Sequence, residues 1–186
     1  MNCKALVTAL VIGLLAVSLS ACQSTRRTLN FDTSVEIDFN AYEDANPDAD
    51  DRASPVVLRV FHLADDRQFE REDFLNLYEN AEQRLGKDLL NTTILKEFSP
   101  GEQRIETLSL SPEVKYIGVL AEFFQYQNTT AVITLPIVDH SGNVLDIHIV
   151  GNKLLSSQLG YIAPSTDEED ASTGSRNTRH NSKYKH

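Results

Sequence analysis

Val56-Val57-Leu58-Arg59-Val60-Phe61-His62-Leu63 (V-V-L-R-V-F-H-L) is the stretch that decides the fold. It begins just after Pro55 and is dominated by β-branched and aromatic residues, which fit a pleated strand and crowd a helix. Further strands read outward from it. Upstream, Val35, Ile37 and Phe39 alternate with Glu36 and Asp38. Downstream, a weaker strand, Ile105 to Leu110, follows the turn Pro100-Gly101-Glu102. Tyr116 to Phe124 (Y-I-G-V-L-A-E-F-F) places Ile117, Val119, Ala121 and Phe123 on one face, the period-two signature of a strand with one side buried. Thr130 to Val138 comes next. His140-Ser141-Gly142-Asn143 then carries hairpin turn chemistry, and Val144 to Val150 returns with Leu145, Ile147 and Ile149 inward.

One segment breaks the β pattern. Between Phe69 and Leu89, the residues Phe74, Leu77, Tyr78 and Ala81 recur at helical spacing, and Gly86 is a stop signal. The spacing predicts one or two short helices inserted between the second and third strands. The other strands are spaced as in a sandwich. The expected fold class is therefore mainly β, a two-sheet β-sandwich.

The amino-terminal segment decides location. Lys4 precedes an apolar run from Ala5 to Leu19, and Ser20 and Ala21 are small. Residues 1–21 read as a signal peptide, since the run is shorter than the roughly 20 apolar residues needed to span a bilayer. The next residue is a cysteine, so Leu19-Ser20-Ala21-Cys22 fits the lipobox of bacterial lipoproteins. That resemblance implies cleavage before Cys22 and acylation of its thiol and amine. Gln23 stands where an inner-membrane lipoprotein often carries Asp, which favours the outer membrane, with the body on its periplasmic side. The expected organisation is a signal peptide over 1–21, lipidated Cys22 with a polar linker over 22–29, one sandwich domain over 30–162, and a disordered charged tail over 163–186. The tail runs acidic (Asp167 to Asp170) and then basic (Arg176, Arg179, Lys183, Lys185), with too little apolar surface to offset the entropy of ordering.

Composition narrows the chemistry. The two cysteines are Cys3, lost with the signal, and Cys22, so no thiol remains for a disulfide, a metal cluster or a nucleophile. A formal net charge of −10 argues against nucleic acid and against an anionic lipid surface. The zinc-protease, nucleophile-elbow, Walker and C-x-x-C motifs are all missing. His62 and His148 lie on strands, His140 in a turn, and His180 and His186 in the tail, a scatter that suits solvated or hydrogen-bonded histidines. The acidic loop around Asp44, Asp48, Asp50 and Asp51 lacks the central Gly and twelfth-position Glu of an EF-hand, so it reads as a solvated turn or a protein-binding loop rather than a metal site. Asn91-Thr92-Thr93 and Asn128-Thr129-Thr130 match a glycosylation sequon by accident in a bacterial lipoprotein. Phe123, Phe124 and Tyr126 read as strand core plus rim rather than a carbohydrate platform.

The ordered series Asn46-Pro47-Asp48, Arg52-Ala53-Ser54-Pro55 leading into Val56 to Leu63, Asp73-Phe74, Leu77, Leu85-Gly86, Pro100-Gly101-Glu102 and Tyr116 to Phe123 resembles the TssJ (SciN) family, the outer-membrane lipoproteins of type VI secretion systems. The likeness covers about residues 31–150. The chain departs from the family pattern in its charged tail and in having no Trp. The resemblance implies a transthyretin-like sandwich with added helical elements, no enzymatic activity and no cofactor. It also implies a partner: the periplasmic domain of the inner-membrane protein TssM, with TssL in the same complex. The family's contact lies in the loop between the first two strands, here about Ala41 to Pro55. On that match Asn46, Pro47, Asp48, Asp50, Asp51, Arg52 and Ser54 are the expected partner-binding residues, and the three aspartates are expected to steer a basic patch. The competing expectation is a periplasmic transthyretin-like lipoprotein that binds a small ligand or glycan. A hydrolase would need a convergent acid–base pair, which the scattered histidines do not supply.

Overall fold

The computed structural model describes residues 32–127 and 129–163. The expected signal peptide, Cys22 and its linker, Asn128 of the second sequon and the charged tail beyond residue 163 lie outside the described residues. Among the described residues, eight strands form two four-stranded sheets. They are β1 (Thr33–Ala41), β2 (Leu58–Leu63), β3 (Leu89–Ile94), β4 (Gln103–Leu110), β5 (Tyr116–Ala121), β6 (Val132–Pro136), β7 (Gly142–Val150) and β8 (Lys153–Leu155). One sheet has the order β4-β1-β7-β8 and the other β3-β2-β5-β6. Val35, Ile37, Phe39 and Ala41 from β1 meet Leu58, Val60, Ile117, Val119 and Ala121 from the facing sheet in one core, all fully buried. Period-two alternation therefore faces inward as the sequence predicts.

β2 and β5 are buried on both sides. Their outer residues Phe61, Leu63 and Leu120 pack under a helix, α1 (Phe74–Leu85), together with Phe69, Leu77 and Leu85. Asp73 caps α1 by accepting from the Asn76 N–H at 2.8 Å, and Gly86 ends it at a φ of 53°. Asn80 breaks the helical dihedrals midway, so the predicted helical insert is one short, interrupted helix between 3-10 turns at Phe69–Arg71 and Gly86–Asp88. Arg59 fastens this layer: its Nε pairs with Glu122 at 2.6 Å, and its guanidinium lies 4.4 Å from the Tyr78 ring centre.

Gly118 shows how tightly the layers meet. A Cβ there would come within 2.5 Å of the buried Phe69 ring. Gly118→Ala is expected to destabilise the fold by about 1–3 kcal/mol through overpacking, read as a lower denaturant midpoint with an unchanged slope. An unchanged midpoint would mean that the helical layer moves aside freely.

Three features differ from the sequence reading. The strands β3 and β8 are additional: β3 (L-L-N-T-T-I) is a largely exposed edge without clean alternation, and β8 has three residues. The turn after Asp139 does not close a hairpin, because β6 and β7 lie in different sheets. β7 pairs parallel with β1, and the turn is pinned to the start of β1. There the His140 N–H donates to Thr33 Oγ1 at 2.8 Å, and Asn143 Nδ2 donates to the Ser34 carbonyl at 3.0 Å. Third, β4 turns charges inward. Arg104 and Glu106 stand opposite Phe39 and Ile37, and the Arg104 guanidinium lies 3.7 Å from the Phe98 ring centre, paired with Glu102 and Glu106. Ile105 is left on the outer face, 57% exposed. Inward charges on an edge strand close the side of the core and discourage further pairing.

Candidate functional site

The connection from β1 to β2 contains all seven expected partner-binding residues. It rises from one end of the sandwich and is held as a defined shape rather than a loose loop. Pro47 and Pro55 restrict its backbone, and Asn46 and Asp51 sit at positive φ of 51° and 58°. Asn and Asp tolerate that left-handed conformation better than other residues with a Cβ.

Asn46 is the hub. It is 1% exposed. Its N–H donates to the Gly151 carbonyl at 2.8 Å, its Nδ2 donates to the Pro55 carbonyl at 2.7 Å, and its Oδ1 accepts from the Phe124 N–H at 2.9 Å. One side chain and one amide thus join three segments: the β1–β2 loop, the β5–β6 connection and the β7–β8 turn. Two more bonds tighten the seam. Gln125 Nε2 donates to the Asp48 carbonyl at 2.8 Å, and Asn152 Nδ2 donates to the Gln125 carbonyl at 3.4 Å. Asn46 is therefore a shaping residue whose polar atoms are bonded inside the protein.

Asp48 shapes the tip. Its Oδ1 accepts from the N–H groups of Asp50 and Arg52 at 2.8 and 3.1 Å, and its Oδ2 meets the Arg52 guanidinium at 2.9 Å. The Arg52 N–H, with the Arg52 side chain and the Asp50 N–H behind it, holds the Asp48 carboxyl below the usual carboxylate range. The turn it supports is at full strength above the ordinary carboxylate pKa and weakens as pH falls through that depressed value. Asp50 also reaches Arg52, at 3.2 Å. The Ser54 N–H donates to the Ala45 carbonyl at 3.0 Å, and Ser54 Oγ donates to the Arg52 carbonyl at 3.2 Å. Asp50, Asp51 and Arg52 are exposed, while Pro47, Asp48 and Ser54 are half-buried. Glu43, Asp44, Asp48, Asp50 and Asp51 set five carboxylates against the single guanidinium of Arg52, so the tip carries a clear negative excess.

The histidines are placed for structure. His62 is 4% exposed between the sheets, where burial lowers its pKa and Thr93 Oγ1 lies at 3.3 Å. His148 Nε2 lies 3.1 Å from Asp146 Oδ2, with the Tyr42 and Tyr161 rings on either side. Burial pushes the Asp146 carboxyl up, but the Ser157 hydroxyl and N–H, with His148, hold it below its usual range. A serine protease relay needs imidazole between serine and carboxylate. Here the carboxylate stands between Ser157 and His148, so the imidazole does not reach the serine. Among the described residues, no three His, Cys, Asp or Glu side chains gather to hold a metal ion.

Sequence reasoning missed the second half of the tip. Phe123 is buried, as strand core should be, but Phe124 is 66% exposed beside the acidic loop. Tyr126 turns away to stack on Phe74, ring centres 4.4 Å apart. The sequence signal was the adjacent pair Phe123-Phe124; the strand expected to run to Phe124 ends at Ala121, and Phe124 lies in the turn that follows.

A family model described as type VI secretion lipoprotein, VasD, EvfM, TssJ, VC_A0113, matches residues 33–174. No curated protein matches the chain. Among solved structures, the chain is similar to the T6SS lipoprotein TssJ1 from Pseudomonas aeruginosa, at 27% identity and a TM-score of 0.63 over 72% of this chain and 99% of that one. It is similar in fold to Serratia marcescens Lip, a membrane-bound component of the Type VI Secretion System, at 24% identity and a TM-score of 0.62 over 67% of this chain and 96% of that one. A chain in the structure of the T6SS protein TssM C-terminal domain from EAEC shares the fold at 23% identity and a TM-score of 0.53, over 67% of this chain and 97% of that one.

Proposed function

Because the chain belongs to the TssJ family of type VI secretion lipoproteins, a family of secretion components rather than enzymes, we propose that it anchors the secretion membrane complex at the outer membrane. Acyl chains on Cys22 hold it to the periplasmic face of that membrane. The tip formed by the β1–β2 loop grips the periplasmic domain of TssM, and TssL belongs to the same complex. The observation that carries this reading is the tip itself: an acidic loop whose backbone is stitched by Asn46 and Asp48 into a preformed shape. A preformed surface loses little conformational entropy on docking. A chain in the structure of the T6SS protein TssM C-terminal domain has the same fold, which supports TssM as the partner.

In this reading the steering falls to the more exposed carboxylates. Asp48 is committed to the turn by two backbone N–H groups and to Arg52, whereas Asp50, which also reaches Arg52, and Asp51 are exposed and make no bond that the turn depends on. The test is a titration of the TssM periplasmic domain with the chain, wild type against Asp50→Lys combined with Asp51→Asn. Asn is chosen at 51 because it tolerates the positive φ there. Association is expected to slow by about tenfold at low ionic strength, with the difference shrinking as salt screens it. No binding by the wild type would overturn the assignment of the partner. Equal association rates at low salt would remove the steering role.

A further inference from the structure

The tip carries one group that charge steering does not explain. Phe124 is 66% exposed. Leaving a phenylalanine in water forgoes about 1.5–3 kcal/mol of burial. The residue is also held in place. Its N–H donates to Asn46 Oδ1 at 2.9 Å, the preceding Phe123 is locked in the core, and the following Gln125 is bonded to the Asp48 carbonyl at 2.8 Å. A ring carried on so constrained a backbone gives up little freedom when a partner covers it.

From this geometry we infer that Phe124 is the apolar anchor of the docking surface, seated in an apolar recess of the TssM periplasmic domain whose rim carries Lys or Arg. The inference rests on the proposed partner and adds the residue and the chemistry that hold it. The occupant follows from what lies next to the ring. The acidic loop that carries Asp48, Asp50 and Asp51 is tied to the Phe124 segment, Asn46 Oδ1 accepting from the Phe124 N–H and the Asp48 carbonyl from Gln125 Nε2. A central aromatic with a charged, solvated border is the arrangement in which a few residues dominate protein binding. The same negative border opposes insertion of the ring into an anionic lipid surface. Charge and ring then have separate duties: the carboxylates raise the encounter rate, and Phe124 slows departure.

The experiment titrates the TssM periplasmic domain with the acylated full chain in detergent micelles, comparing wild type, Phe124→Ala and Phe124→Gln at low and high salt. Both variants are expected to bind about 30-fold or more weaker, through faster dissociation, with the salt dependence of the wild type. Their melting temperatures should match the wild type, because the ring supports little of the core. Wild-type affinity in both variants, with the wild type itself binding, overturns the anchor and leaves the partner assignment standing. A loss of affinity that tracks a lowered melting temperature in both variants also overturns it, since the ring would then act through the fold. Absence of binding by the wild type overturns the partner assignment and the anchor together.

Discussion

Asn46→Ala is expected to lower the stability of the folded chain by about 2–4 kcal/mol and to weaken TssM binding with it. Two effects add. The substitution removes the bonds to the Pro55 carbonyl and the Phe124 N–H, at 2.7 and 2.9 Å, and leaves both backbone groups without that partner. Each net loss is worth about 1 kcal/mol, more where the abandoned group stays dry. Alanine must also hold a φ of 51°, which disfavours it by about 1–2 kcal/mol. Asn46→Gly separates the two effects, since glycine accepts the dihedral freely but makes neither side-chain bond. Denaturant unfolding should order the stabilities as wild type, Gly, then Ala. Equal stability of all three would mean that the tip is held by other contacts. Binding should follow the same order, because the Phe124 backbone and the acidic loop lose their common support.

Cys22→Ser is expected to abolish anchoring altogether. A serine cannot form the thioether to diacylglycerol, so the variant gains no acyl chains at this position. Each buried methylene contributes about 0.8 kcal/mol, and stable attachment takes more than one chain, so loss of all of them leaves nothing to hold an acidic body at an anionic surface. Labelled palmitate should enter the wild type and not the variant, and the wild type should band with outer membranes in a density gradient. The purified variant should still bind the TssM domain, because the tip is built from residues 42–55, 122–127 and 151–152 and contains no cysteine. A variant that still takes up label and bands with outer membranes would refute the lipid assignment. Loss of TssM binding with an intact fold would show that the linker takes part in docking.

Much of the architecture was legible in short-range pattern. Val35, Ile37 and Phe39 alternate with charges, and all three are fully buried. Phe74, Leu77 and Ala81 have helical spacing, and Asp73 and Gly86 bracket the helix found there. The β3 edge was not legible, because its outer residues contact solvent and selection on them leaves no alternation to read. Nor was the partner of β7. The turn residues His140 to Asn143 announce a reversal of direction, but they do not say which sheet receives the chain.

The candidate site divides along the same line. The acidity and the prolines of the loop could be read from consecutive residues, because charge and dihedral restriction are properties of the residues themselves. The duties within it could not. Asn46 and Asp48, expected as partner-binding residues, fasten the backbone of the loop, and Phe124, 78 positions from Asn46, is bonded to the same loop. Those assignments depend on which backbone donors and acceptors the packed sheets bring within 3 Å of each other. Local chemistry along a chain states what each residue is able to do. Only the closure of two sheets, which puts distant segments side by side, selects which of those bonds are made and which groups remain for a partner.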